Sequence, residues 1–279
     1  MKRLITILLV SNLSITLHSQ KNCNVFIWEG DSCRYNACTF LEEAPSYFQL
    51  RKEYHEIHDK AIEICPDYSD AYCAKSVAYL KTGDFITWKR LMDKAVELNP
   101  IEHLGYRGWA HFQFFRDYES AIADIEKLES LITHDIGYSQ NGMYHLNIAK
   151  ALCYKMIGEN KKGVAIIEEQ IQVDGDKVGL YDYLHLGVLY LEIGQYKKAE
   201  SALLSQLKEY DFAENRYYLA LASKAMNQNE KYKVNIELAK TLYQRNRTMS
   251  DPYTHLIDKI YLSDIIAELK LIAPKQEFK

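Results

Sequence analysis

The chain has 279 residues, 48% of them hydrophobic and 26% charged, with a net charge of −4, a globular balance with room for one or two compact domains. Twelve glycines and five prolines are too few for an all-β protein of many tight turns. No run of five like charges gives the basic footprint of a nucleic-acid binder, and no GxGxxG or GxxxxGK[ST] loop is present to cradle phosphate.

The first element in chain order is "MKR" followed by "LITILLVSNLSITL" and polar "HSQKN". This order of charged, apolar and polar stretches predicts a secretory signal peptide over 1–20. Its apolar part, Leu4 to Leu17, is shorter than the ~20 residues that span a bilayer; an uncleaved anchor and a buried first helix are the competing readings. Leu17-His18-Ser19-Gln20 lacks a small-x-small cleavage pattern, and Gln20-Lys21-Asn22 lacks the small residues of a lipoprotein signal, so no lipid anchor is expected at Cys23. The expected location is the periplasm, cell envelope or exterior, without a stable membrane span once the signal is removed.

A leader over 21–44 holds Cys23, Cys33 and Cys38, and Cys65 and Cys73 follow. In an exported chain these five are disulfide candidates, with connectivity left open. Cys33-x4-Cys38 is neither CxxC nor a usual zinc spacing. Cys153 falls inside an apolar helical run and reads as a buried thiol.

From residue 45 the chain repeats itself. "AIEICPDYSDAY" and "AVELNPIEHLGY" place Ala61 over Ala95, Pro66 over Pro100 and Tyr72 over Tyr106, each displaced by 34 residues, and Tyr183 and Tyr217 share that spacing. Gly83, Gly158 and Gly194 sit midway between apolar segments, where φ > 0 ends a helix. Apolar residues three and four apart flank Gly194 on both sides, predicting paired amphipathic helices. One such hairpin cannot bury its apolar faces, so copies must stack. Most of the 22 tyrosines fall at recurrent packing positions.

The chain resembles a tetratricopeptide-repeat protein over about 45–245. Tyr72, Ser76, Tyr79, Gly83-Asp84-Phe85, Ala95 and Pro100 carry the pattern in one copy. Tyr183, Leu186-Gly187, Tyr190, Gly194-Gln195-Tyr196 and Ala199 carry it in another. Looser copies precede, separate and follow these two, and the third loses a residue at "FFRDYES". The resemblance implies an all-α solenoid of about six hairpins. In the second copy, Trp88 stands where a small alanine is usual, which requires either a spread helix or a displaced Tyr79. A final segment, 246–279, has helical spacing with an entrance at Asp251-Pro252 and is expected to form a helical cap. It opens on an Asn246-Arg247-Thr248 glycosylation sequon.

His55 and His58 lie three apart beside carboxylates, without the HExxH spacing, and read as surface and packing residues respectively. His134 and His145 have no partner in the pattern, and G-x-S-x-G is missing. No catalytic, metal or cofactor site is expected. In proteins of this resemblance the first helices line a concave groove for peptides or partner domains. That mapping assigns partner contacts to Arg107, His111, Phe114, Lys155, Tyr181, Tyr217 and Lys224, with the cations facing an acidic ligand. Val77 and His111 stand where a carboxylate clamp for chaperone tails would need asparagines, which disfavours that adaptor role. The expected function is a non-catalytic scaffold or assembly factor binding a protein or peptide. The alternatives are a docking arm for a redox or enzyme-associated function of the leader cysteines, and an oligomerisation module.

Overall fold

A computed structural model describes residues 22–272, so the segment read as a signal peptide lies outside the described residues. Regular structure among them is helical, apart from one bridge pairing Tyr138 with His145. The chain divides between Leu98 and Asn99 into two compact units.

Unit 1 contains α1 (Asn24–Trp28), α2 (Ser32–Leu41), α3 (Lys52–Ile64), α4 (Ser69–Thr82) and α5 (Phe85–Leu98). Helices α2 and α3 form one hairpin and α4 and α5 the next. The stretch 21–44 read as a cysteine leader thus carries α1 and α2, and α2 packs on α3. Asp31 opens α2 by accepting the Arg34 N–H at 2.9 Å, a standard N-cap bond. Disulfides Cys23–Cys38 and Cys33–Cys65 fasten α1 to α2 and α2 to the end of α3. They surround a small core of Phe26, Ala37, Ala61, Tyr68 and Ala71. Of the five candidates, Cys73 belongs to neither bridge; it sits on α4, with the four other cysteines already paired among α1, α2 and the α3 terminus. Trp88 is 1% exposed, and the Tyr79 ring lies 5.1 Å from that of His55 on α3. His58 is buried, with Nδ1 2.7 Å from the Tyr54 carbonyl, in the packing role its spacing predicts.

Unit 2 contains α6 (Pro100–Ala110), a π-helical turn at His111–Phe115, α7 (Tyr118–Leu131), α8 (Leu146–Met156) and α9 (Asn160–Asp174). It continues with α10 (Asp182–Glu192), α11 (Tyr196–Glu209), α12 (Ala213–Ala225), α13 (Asn229–Gln244) and α14 (Leu262–Ile272). These make four hairpins and a closing helix, so the described residues are all-α, with two hairpins in unit 1 and four in unit 2. From the second hairpin on, the turn between the two helices carries one left-handed residue: Gly83 (φ 80°), Arg116 (56°), Gly158 (84°), Gly194 (75°) and Asn227 (59°). Arg116 arrives one residue early for the 34-residue period, which is the residue missing from "FFRDYES". Gly187 allows α10 to close on α11, since a Cβ there would come within 2.5 Å of Leu203 Cγ.

Neighbouring repeats are joined by a recurrent trio. The Tyr154 hydroxyl donates to Glu126 on the preceding hairpin, and the Lys162 ammonium sits 5.1 Å from the Tyr154 ring centre. Tyr190, Glu168 and Lys198 repeat the arrangement one hairpin later, again with 5.1 Å between ammonium and ring centre. The charge over each ring face adds a cation–π contact to the hydrogen bond. In the sixth hairpin the residues are exchanged: Lys224 stands on the first helix and Tyr232 eight residues on, and both bond Glu268 of α14 at 2.6 Å.

Candidate functional site

The first helices α6, α8, α10 and α12 touch in succession, giving unit 2 a continuous first-helix face. The segment over 246–279 does not form the expected helix from Asp251. Asp251 Oδ1 instead accepts the N–H groups of Tyr253 (2.8 Å) and Thr254 (2.7 Å), making a tight turn of the kind Asx side chains favour. Helix begins only at Leu262. Residues 247–261 form an irregular finger that runs along the first-helix face and back.

The finger is fixed at its root, tip and return. At the root, the Ala213 N–H donates to the Arg247 carbonyl (2.9 Å), the Met249 N–H donates to Glu214 Oε2 (3.0 Å), and Tyr181 lies beside the Ser250 main chain. At the tip, Gln113 Nε2 donates to Thr254 Oγ1 at 2.6 Å, and the Arg116 guanidinium donates to the His255 carbonyl. Asn141 reaches Asp251 at 3.5 Å. On the return, Asp258 enters between Lys155, which pairs with it directly, and His185, whose Nδ1 is 2.7 Å from Asp258 Oδ2. His185 Nε2 is 3.1 Å from the Tyr144 hydroxyl, and Lys155 also meets Glu192 at 3.0 Å. Lys259 Nζ closes the loop on the Met249 carbonyl at 2.9 Å. Met249, Leu256 and Ile260 are the finger's buried apolar side chains, whereas Tyr253 at the tip is 82% exposed. Asp258 adopts a left-handed conformation, φ 66°, which Asp tolerates better than most residues.

These surroundings set the protonation of the carboxyls. Burial raises the Asp258 pKa, but the Lys155 charge and the His185 hydrogen bond outweigh it and hold the carboxyl below its ordinary value. Glu214 lacks such a cation at contact distance, and burial pushes it up to about 7 from 4.5. In the folded state it keeps a proton that the unfolded chain has released above its own pKa. Its contribution to stability is therefore full below about pH 4.5 and is lost as pH rises to about 7. Glu214→Gln is expected to remove a fall on the order of 2 kcal/mol across that window. Urea unfolding of both chains at either end of the window measures it, and equal slopes would refute the assignment.

Four of the seven residues assigned to partner contact come together at the finger and α14. Lys155 holds the finger and Tyr181 lies beside it, Lys224 bonds Glu268, and Tyr217 packs on the cluster containing Ile260 and Ile265. The other three turn into their own hairpin. Arg107 makes a two-point pair with Asp124 of α7 at 2.8 and 2.6 Å, His111 lies 3.5 Å from Asp117, and Phe114 packs edge-on against Trp109 at 5.3 Å. Arg107 and His111 thus each meet a carboxylate of their own hairpin. Gln113, Arg116, Tyr144, His185 and Glu214 were not singled out from the sequence. Only Arg116, as a cation on the turn beside two assigned residues, gave a local signal. Cys153 is fully buried, and burial pushes its thiol pKa up. Among the described residues, no group of three His, Cys, Asp or Glu side chains is placed to hold a metal. None of their helices is long and apolar enough to cross a membrane.

Residues 69–102, the α4–α5 hairpin with its exit, match the tetratricopeptide repeat profile. That hairpin is a tetratricopeptide repeat. Among solved structures, the chain is similar to PilW, described as a widely conserved type IV pilus biogenesis factor. Identity is 13% over 75% of this chain and 94% of that one, with a TM-score of 0.57. It is also similar to Pseudomonas aeruginosa PilF, at 14% identity over 76% and 94% of the two chains and a TM-score of 0.56. At such identities the likeness is one of fold. A search of curated proteins returns no match. The tetratricopeptide-repeat architecture thus rests on the matched hairpin, on the recurrent left-handed turns and on these two structures.

Proposed function

We propose that the chain is an exported, non-catalytic scaffold that holds a peptide or protein partner on the first-helix face of unit 2. The observation that carries this reading is the finger: Gln113, Lys155, His185 and Glu214, from four successive hairpins, together hold an irregular peptide segment. Such repeats offer extended surfaces suited to peptides. Export is supported by the N-terminal signal pattern and by two bridges that belong to an oxidising compartment. Four of the cysteines bridge α1, α2 and α3, an arrangement that serves fastening and favours no redox reading.

The test is a photo-crosslinking residue placed in the full chain at Arg116 or Lys224 on the first-helix side, and at Val234 on α13 as a control. Adducts to a discrete protein from the first two positions and none from Val234 are expected. Adducts from Val234 alone would sink the assignment of the face.

A further inference from the structure

We infer that the 247–261 finger is a releasable internal occupant of the first-helix face. The partner that replaces it would present a carboxylate between two aliphatic residues, as Leu256-x-Asp258-x-Ile260 does. The inference rests on that face being the binding surface, and it adds what closes the face and which chemistry opens it.

The finger's composition argues for release. Its attachment at the tip is polar: Gln113 to Thr254, Asn141 to Asp251 and Arg116 to a carbonyl. Water can replace each of these bonds at small net cost. Three buried apolar side chains, Met249, Leu256 and Ile260, must offset the conformational entropy of ordering a fifteen-residue irregular segment. The helices beneath are held far more densely: α10 alone buries Leu184, Leu186, Val188, Leu189 and Tyr190. Segments with few buried apolar contacts are the ones that open separately from the rest of a fold.

The chemistry of the replacement follows from what release uncovers. Lifting the finger returns Lys155 and His185 to an open face with Glu192 as the remaining acid beside Lys155. Glu214 loses the main-chain N–H it accepts. A neutral aliphatic peptide would cover Lys155 and His185 without supplying the carboxylate they now bond, which is unfavourable at a buried site. A segment carrying an acid there, with aliphatic residues two positions to either side, restores both the pairing and the apolar contacts. Arg107 has no part in this, since its charge is satisfied by Asp124.

Two measurements on the full chain test this without any external protein, so they can fail while the scaffold reading stands. The first is native-state hydrogen exchange. The amides of Ala213 and Met249, bonded to the Arg247 carbonyl and to Glu214, are expected to exchange at least about a hundredfold faster than those of Val188 and Leu189. Exchange as slow as in α10 would mean that the finger opens only with the whole unit, and would overturn the inference. The second uses a fluorescein-labelled synthetic peptide of residues 247–261. Asp258→Asn, which weakens the internal occupant, is expected to bind it at least about tenfold more tightly than the unaltered chain does. Equal binding by a folded Asp258→Asn chain would overturn the inference as well. Should that variant not fold, the exchange experiment on the unaltered chain still decides.

Discussion

Asp258→Ala is expected to free the finger rather than to unfold unit 2. If the finger stayed in place, the substitution would leave Lys155 with Glu192 alone and His185 without its Nδ1 partner, both beneath buried chain. Breaking one side of a buried charge pair costs about 3–5 kcal/mol, and the remaining carboxylate puts this case near about 3. Lifting the finger rehydrates both groups and gives up only the burial of Met249, Leu256 and Ile260, part of which is returned as chain entropy. A penalty of about 3 kcal/mol corresponds to roughly a hundredfold change in the open population. Trypsin cleavage at Arg247 and Lys259 should rise by about that factor while helix content is retained. An unchanged cleavage rate with an unfolding midpoint lowered by the full amount would show that the finger is part of the folding core. Replacing Lys155 by Met together with Asp258 by Leu should largely cancel the effect, because neither charge is then left without its partner.

The second large effect is expected in unit 1. Cys33→Ser with Cys65→Ser removes the bridge that closes a separation of 32 residues between α2 and the end of α3. Loss of such a bridge from a small domain costs about 2–5 kcal/mol, through the freedom restored to the unfolded chain and the packing lost in the folded one. Unit 1 has little to compensate with: the cluster around α1 and α2 is built mostly of alanine and cysteine, with Phe26 and Tyr68 as its large members. At about 4–8 °C per kcal/mol for a domain of this size, the thermal midpoint should fall by about 10 °C or more. Tryptophan fluorescence reports this, since Trp28 and Trp88 lie in unit 1 and Trp109 in unit 2. A shift of only a degree or two would mean that α2 is held by its contacts with α3 alone. Restoring Cys33 and Cys65 while changing Cys73 to Ser should leave the midpoint in place, because Cys73 is outside both bridges.

Much of the hairpin architecture was legible because it is written locally. Gly83, Gly158, Gly194 and Asn227 mark turns by their own backbone preferences, and the aromatic and small residues around them recur at the repeat spacing. Arg116 takes the same left-handed conformation without a residue type that advertises it. Helix α2 reads as part of a leader because its apolar spacing is weak. Two disulfides and an Asp31 cap hold it in place, and pairing of cysteines is invisible in spacing alone. The finger misled for a different reason. Leu256, Ile260 and the residues after them do have helical spacing, and Asp-Pro is a fair helix entrance. Gln113, Lys155 and His185 override that preference from 141, 103 and 73 residues away. Lys155 and Lys224, assigned to an acidic ligand, meet Asp258 and Glu268 of the same chain.

The exchange of tyrosine and lysine in the sixth hairpin bears on how this array terminates. The fourth and fifth hairpins look backward, taking the carboxylate for their tyrosine from the helix before them. The sixth looks forward, to Glu268 on α14. The array therefore has a built-in direction and a stop. A further copy of the fifth hairpin spliced in after Gln244 would separate Lys224 and Tyr232 from Glu268, and its own tyrosine would look back to α13 for an acid. Lengthening the protein at this end would require rewriting the junction, whereas a copy added between the fourth and fifth hairpins would find both of its neighbours already matched.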